Sequence, residues 1–264
     1  MLTGDSAGGL GVLHAADSVG AFLKHESPQL QSYKAVPVSG FFLDHDDVDG
    51  VPQYANALRA AFSFHNASAG VSVGCLAAPP RPADPSSCFF AQNALVRINS
   101  TPTFVLNSAL DQFQTLCILA GKVKSSGCSG IDGWEACRTN LTDCSDVQMN
   151  IMVQYEKDFL RLFAASFAAA NGSGSGVAGR HGAFIYSCHN HCAGDSVLYN
   201  RITVANKTMM QAVEEWWHGG SSNAVGPNGG IKHTAQLDTA YAAPCVWHTA
   251  EGHRKCNPTC YKND

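Results

Sequence analysis

Serine, aspartate and histidine, three side chains that together can hydrolyse an ester, occur in that order along the chain. Ser6 lies in the string GDSAGG, where small residues on both sides suit a tight strand-to-helix turn that presents a nucleophilic hydroxyl. Asp111 follows one apolar run, and His189 and His191 follow another. A histidine can accept the proton of the serine hydroxyl while a carboxylate orients the imidazole and stabilises its charged form. This order favours a serine hydrolase that forms an acyl-enzyme.

Each of these residues also has a structural interpretation. The string GDSAGG could be an ordinary glycine-rich turn capped by Ser6, because such strings arise often by chance. Asp111 could be the N-cap of a helix over 112–119, and His189 could be a surface histidine. The residues alone leave open which histidine would act as the base.

The elements that would position these side chains are those of an α/β fold. Apolar residues at three- and four-residue spacing predict helices, and apolar runs predict buried strands. The predicted helices cover 7–24, 52–65, 148–170 and 205–218, and the predicted strands lie within 34–43, 101–107 and 182–187. Parallel sheets place functional residues just beyond the carboxyl ends of strands. We therefore expect one α/β-hydrolase-like domain over 1–264, with a mostly parallel sheet flanked by helices.

Composition excludes two broad functions. The formal net charge is −4, charged residues make up 14% of the chain, and lysine and arginine are scattered, which excludes a nucleic-acid-binding surface. No apolar stretch reaches the roughly 18 residues that a membrane span needs. We expect a monomer that acts on an acyl ester.

Cysteine usage predicts an oxidising compartment. Eleven cysteines are far more than a cytosolic enzyme usually carries, and they indicate disulfides and secretion to the outside of the cell or the cell wall. We expect disulfide-tied loops over 75–92 and 121–147. N-glycosylation sequons agree with secretion. They begin at Asn66, Asn99, Asn140, Asn171 and Asn206. No signal peptide precedes Ser6 in the given sequence.

Two stretches carry possible metal ligands. The acidic turn over 44–50 lacks the ligand spacing of a calcium-binding EF-hand, which favours a solvated turn. In the string CHNHC at 188–192, two cysteines and two histidines are too crowded for all four to bind one tetrahedral zinc ion. A loop that presents a catalytic histidine between disulfides is the better interpretation. The sequence thus predicts neither a metal nor a cofactor.

Several segments resemble the pectin acetylesterase family, which includes the Wnt deacylase Notum, over most of the chain. GDSAGGLGVLHAADSV at the start resembles the family's nucleophile segment, and SGFFLD at 39–44 resembles the strand and loop that follow it. NSALDQFQ at 107–114 resembles the stretch with the family's aspartate, and CNPTC at 256–260 resembles the tail of plant members. FIYSCHNHC at 184–192 contains the pattern Ser-Cys-x-x-His-Cys, the most specific of these elements.

The resemblance implies a role for each residue. Ser6 is the nucleophile, Asp111 orients the base, and the pattern selects His191 over His189 as the base. The implied activity is that of an extracellular esterase that deacetylates O-acetylated cell-wall polysaccharide without a cofactor. The backbone N–H of Ala7 is one donor to the oxyanion.

The resemblance also predicts that this chain is the C-terminal part of a longer catalytic domain. In the family, the strand that enters the serine turn and a glycine-rich oxyanion segment precede the nucleophile, and only three residues precede GDSAGG here. We therefore expect both the strand and the second oxyanion donor to lie upstream, and the fold to be N-terminally truncated.

Three alternatives remain beside this interpretation. The chain could deacylate a lipid-modified protein, as Notum does, which needs a deep apolar pocket. It could resemble the hormone-sensitive-lipase-like esterases, which share GDSAGG but lack the dense cysteines. It could also be an inactive carbohydrate-binding protein.

Overall fold

A parallel β-sheet lies at the centre of the computed structural model, which describes residues 1–77, 83–124, 127–172, 180–218, 235–237 and 257–261. The strands are β1 (Leu2–Asp5), β2 (Ala35–Val38), β3 (Phe104–Ser108), β4 (Gly121–Lys124), β5 (Gly127–Gly130), β6 (Gly182–Tyr186), β7 (Thr203–Val204), β8 (Lys207–Thr208) and β9 (Ala235–Leu237). The sheet has the order β1-β2-β3-β6-β9, and all its neighbours run parallel. β4 with β5 and β7 with β8 form two separate antiparallel pairs.

Helices cover both faces of the sheet. They are α1 (Ala7–Glu26), α2 (Gln53–Phe64), α3 (Val73–Leu76), α4 (Ala91–Val96), α5 (Gln112–Gln114), α6 (Glu135–Thr139), α7 (Asp146–Ala170) and α8 (Met209–Trp217). The four predicted helices are confirmed as α1, α2, α7 and α8. α8 begins later than predicted because the β7–β8 pair precedes it and Thr208 caps it with a reciprocal hydrogen-bonded box. Among the described residues, no helix is long and apolar enough to span a bilayer.

The strand that leads into Ser6 lies within the chain, so our expectation of an upstream strand is wrong. β1 pairs with β2 from Leu2 opposite Ala35 to Asp5 opposite Val38. Glycine and aspartate are poor strand formers, so the composition of this short segment does not predict a strand. Hydrogen bonding to the neighbouring strand imposes the extended conformation.

Other strands were also absent from the sequence analysis. β9 extends the sheet beyond β6, with Ala235 opposite Ala183. The stretch expected to be loop-rich contains the β4–β5 pair and α6. These elements are three to five residues long, too short for their periodicity to be read.

Side chains along the central strands point alternately to the two faces of the sheet, and they form a hydrophobic layer on each face. In β3, Phe104 and Leu106 belong to the core cluster on one face, whereas Val105 belongs to the cluster on the other face. Strands buried on both faces read as continuous apolar runs, which explains why this one was recognisable from sequence. On the Val105 side, Phe159 and Phe163 of α7 stand one turn apart and contact the ring of Phe41, the latter at 5.1 Å between centroids.

Within the described residues, four disulfides tie these segments together. They are Cys75–Cys88, Cys117–Cys128, Cys137–Cys144 and Cys188–Cys260. The first three confirm the predicted disulfide-tied loops over 75–92 and 121–147. Among the described cysteines, Cys192 is the one outside a disulfide, and Cys245 and Cys256 lie outside the described residues.

Two glycines allow α1 to lie directly against the end of β2. A Cβ atom on Gly40 would lie 2.3 Å from the carbonyl carbon of Gly9, and one on Gly9 would lie 2.5 Å from the carbonyl oxygen of Val38. Contacts this close are with backbone, which cannot move aside without shifting the helix. The first turn of α1 therefore keeps its position because these two residues have no side chain.

We predict that Gly40→Ala destabilises the fold by about 2–3 kcal/mol, because the added methyl group meets backbone in a packed region. Gly11→Ala is the matched control. Nothing lies within 4 Å of a Cβ at Gly11, and alanine in a helix interior is favoured over glycine by about 0.5–1 kcal/mol. Urea denaturation of both variants measures the difference. A Gly40→Ala protein as stable as the parent would contradict the close packing.

Candidate active site

Ser6 occupies a strained turn between β1 and α1. Its φ and ψ are 54° and −123°, a conformation that residues with a side chain rarely adopt. Its N–H donates to the carbonyl of Val38 at 2.9 Å, and its own carbonyl accepts from Leu10 N–H at 3.1 Å. A Cβ on Gly4 would lie 2.8 Å from the backbone of Gly8. The glycines of the string GDSAGG therefore let the chain fold back closely enough to present the serine hydroxyl.

Asp111, His191 and Ser6 form a continuous hydrogen-bonded chain. His191 Nδ1 lies 2.7 Å from Asp111 Oδ2, and His191 Nε2 lies 2.8 Å from Ser6 Oγ. A carboxylate only accepts hydrogen bonds, so Nδ1–H donates to Asp111 and Nε2 accepts from the serine hydroxyl. This is the tautomer that a general base needs in order to take the serine proton.

The carboxyl group of Asp111 is fully buried beyond the end of β3. Burial raises its pKa, and hydrogen bonds from His191 and from the backbone N–H groups of Gln114 and Phe113 partly offset that effect. Oδ1 accepts the Gln114 N–H at 3.1 Å and so caps α5, while Oδ2 faces His191. The two interpretations of Asp111 are thus compatible, because each uses a different oxygen.

Aromatic side chains line one side of the imidazole. The ring of Phe113 stacks on His191 with 5.5 Å between centroids and 28° between planes, and Phe42 lies 6.4 Å away. Tyr54 contacts both phenylalanines edge to face. Burial and the charge of Asp111 raise the pKa of the Tyr54 hydroxyl, which therefore stays protonated at neutral pH. Stacking against Phe113 restricts rotation of the imidazole ring, which helps to keep Nε2 facing Ser6 Oγ.

The segment 188–192, which we call the histidine loop, holds the candidate zinc ligands of the string CHNHC apart. His189 Nε2 lies 2.9 Å from the hydroxyl of Thr115, Cys188 is bonded to Cys260, and His191 faces Ser6. These side chains have separate partners, and a shared zinc site does not fit this arrangement. Of the two disulfides expected around the histidine, the one at Cys188 is present, whereas Cys192 carries a thiol.

The acidic turn after the Phe41–Leu43 segment is organised by Asp47. Its buried carboxylate accepts hydrogen bonds from the N–H groups of Asp49 and Val51 and from the side chain of Gln53. The Asp47 carboxylate thus has a structural function in the turn.

Within the described part of the chain, one group of three possible metal ligands lies close together: Asp5, Cys192 and Asp195. Burial and the neighbouring carboxylates of Asp5 and Asp195 raise the pKa of the Cys192 thiol to about 12. Two of the three ligands are exposed carboxylates, and such groups are common without an ion, so this cluster alone does not indicate a metal centre.

Ala7 is the first residue of α1, directly after Ser6. The first N–H groups of a helix have no acceptor within the helix, and they carry the positive end of its dipole. The N–H of Ala7 is thus a donor at the amino end of a 20-residue helix, next to the serine hydroxyl.

Sequence reasoning missed the polar residues that hold the site together. Asn107 accepts from Phe41 N–H, and Gln114 accepts from Leu43 N–H while donating to the carbonyl of Phe41. Both are fully buried. Ser39, also buried, accepts from the N–H of Cys192. Asn107 and Gln114 lie in the segment NSALDQFQ, but nothing in that string separates a buried amide from an exposed one.

Comparison with known proteins supplies an independent finding. The family model "Pectinacetylesterase" matches residues 1–247 of the chain. Pectin acetylesterase 7 of Arabidopsis thaliana is 26% identical over 84% of this chain and 52% of its own length. Pectin acetylesterase 5 of the same plant is 25% identical over 99% of this chain and 51% of its own length. The chain spans about half the length of the curated relatives it matches.

A solved structure shows the same fold. The Wnt deacylase Notum from Drosophila superposes with a TM-score of 0.59 over 90% of this chain and 55% of the Notum chain, at 17% sequence identity. At that identity the likeness concerns the α/β-hydrolase fold alone, with its parallel sheet flanked by helices. The match of the family model to nearly the whole sequence goes further. The chain belongs to the pectin acetylesterase family.

Proposed function

We propose that this chain is a serine esterase that removes short acyl groups from O-acetylated polysaccharide. The observation that carries the proposal is the hydrogen-bonded chain from the buried Asp111 through His191 to Ser6. Membership of a carboxylesterase family supports it. The names of the relatives, pectin acetylesterases, suggest an acetylated pectin-like polymer as the substrate class.

In the first half of the proposed reaction, Ser6 Oγ attacks the ester carbonyl as His191 Nε2 takes the hydroxyl proton. Asp111 stabilises the imidazolium that forms, and the N–H of Ala7 donates to the oxyanion. His191 then gives its proton to the departing sugar oxygen. The carbon–oxygen bond to the sugar breaks, and the acyl group stays on Ser6 as an ester.

Water completes the cycle. His191 Nε2 takes a proton from a water molecule as its oxygen attacks the acyl carbon, and it returns that proton to Ser6 Oγ when the acyl–serine bond breaks. The products are a carboxylic acid and the regenerated hydroxyl. No step needs a metal or an organic cofactor, since every proton passes through His191.

The aromatic residues beside His191 support a short acyl group. Phe113 stacks on the imidazole, and the rings of Phe42, Phe113 and Tyr54 all contact one another. These rings pack against one another and line one side of the imidazole. A long hydrocarbon chain on this side would have to displace them. The fold likeness to a Wnt deacylase makes a lipid or protein deacylase the second candidate.

We propose that Ser6→Ala lowers kcat/KM for 4-nitrophenyl acetate and for acetate release from acetylated pectin by about 10⁴-fold or more, because the acyl-enzyme cannot form. Ser18→Ala is the matched control, since Ser18 is an exposed serine of α1 whose hydroxyl donates to the carbonyl of Ala15. Its activity should stay within about twofold of the parent.

The same assay with a 4-nitrophenyl octanoate ester tests the acyl group. The parent chain should hydrolyse the acetyl ester with the higher kcat/KM. Faster hydrolysis of the octanoyl ester would favour the lipid or protein deacylase. An undiminished rate in the Ser6→Ala protein would contradict the esterase proposal altogether.

We further propose that the protein is secreted and glycosylated. The four disulfides seen in the described part of the chain are consistent with an extracellular location. Four of the five sequon asparagines are exposed: Asn66, Asn99, Asn140 and Asn206. The fifth, Asn171, is buried, and its amide accepts from His181 N–H and donates to the carbonyl of Phe167. A glycan on that amide would remove a buried hydrogen bond and would not fit within the fold.

Secretory expression followed by enzymatic removal of N-glycans tests this. Release by peptide N-glycosidase converts each occupied asparagine to aspartate, which peptide mass spectrometry detects. We expect conversion at the four exposed sites and none at Asn171. Occupancy of Asn171 in correctly folded protein, or secretion without any glycan, would contradict the proposal.

A further inference from the structure

Ser39 directly follows β2 and has an unfavourable backbone conformation. Its φ is 48°, in the left-handed region that favours glycine, and its side chain is fully buried. A residue with a side chain pays roughly 1 kcal/mol or more for this conformation, whereas glycine adopts it freely. Something other than backbone preference must therefore account for a serine here.

The contacts of Val38 and Ser39 bring two distant segments to one point. The carbonyl of Val38 accepts from the N–H of Ser6 at 2.9 Å. The hydroxyl of Ser39 accepts from the N–H of Cys192 at 3.0 Å. That N–H belongs to the peptide group that joins Cys192 to His191. One dipeptide thus holds the backbone of the proposed nucleophile on one side and the backbone of the proposed base on the other.

The backbone of Ser39 is fixed to the neighbouring strand. Its backbone N–H donates to the carbonyl of Leu106 at 2.7 Å, which ties the residue to β3. Cys192 also has a positive φ, 58°. Cys192 is therefore a second strained residue, and it lies where Ser39 holds the histidine loop.

We propose that Ser39 is a positioning residue that sets the separation of His191 Nε2 and Ser6 Oγ by fixing the His191–Cys192 peptide group to the end of β2. This inference rests on the proposed function. Misplacement of a catalytic group by about 1 Å costs on the order of 10²-fold in rate. The reaction thus gains from the buried hydroxyl, although glycine would be the less strained residue at this position.

Ser39→Gly isolates the hydroxyl, because it removes the hydrogen bond to Cys192 and relieves the strain at φ 48°. We expect kcat for 4-nitrophenyl acetate to fall about 10- to 100-fold, with KM within about twofold and an unchanged or higher Tm. Exchange of the Cys192 amide hydrogen, followed by NMR, should be at least about tenfold faster. Ser39→Ala keeps the strain and loses the hydroxyl, so it should show the same fall in kcat with a lower Tm.

Ser166→Ala is the control, since Ser166 is a buried serine of α7 away from the site. Its kcat should stay within about twofold of the parent. A Ser39→Gly protein with the parent kcat would overturn the positioning role while leaving the esterase intact. An inactive parent chain would overturn the esterase instead. In that case the Cys192 exchange rate still decides whether Ser39 holds the loop, and an unchanged rate would refute it.

Discussion

The parallel pairing of β1, β2, β3 and β6 is the constraint on which the site depends. Because the strands run in the same direction, their carboxyl ends meet at one edge of the sheet, and the chain leaves each strand there. Ser6 follows β1, Asp111 follows β3, and His191 follows β6. These residues are separated by up to 185 positions in sequence, and the sheet brings them within hydrogen-bond distance. Residues just beyond strand ends are therefore the ones that can meet.

Hydrogen bonds at this edge of the sheet offset the cost of burying polar groups. Asp111 is fully buried, and its two oxygens accept from His191 and from the amino end of α5. A buried carboxylate without such donors would be strongly destabilising, because the charge would have no partner in a medium of low polarity. The partly exposed imidazole connects that carboxylate with Ser6, which is also partly exposed. The carboxylate is thus buried, whereas the serine and the imidazole remain partly accessible to solvent.

The sequence predicts those parts of the fold and site that have a local physical signal. The serine turn is recognisable because close approach of Gly4 and Gly8 requires small residues, and the long helices are recognisable by periodicity. The choice of His191 over His189 depended on the family resemblance, since both follow the same strand. β1 and Ser39 were missed because pairing with distant segments determines them. The Ser-Gly pair at 39–40 predicts a turn, but it does not predict that the serine is buried or that its φ is positive.

The most direct test of this account is covalent labelling of the 264-residue chain with a fluorophosphonate, which reacts only with a serine activated by a neighbouring base. The account predicts one adduct per chain, located on Ser6 by peptide mass spectrometry, and its loss in a folded His191→Gln variant. A correctly folded chain that forms no adduct, or that is labelled elsewhere, would contradict the claim that Asp111, His191 and Ser6 act together.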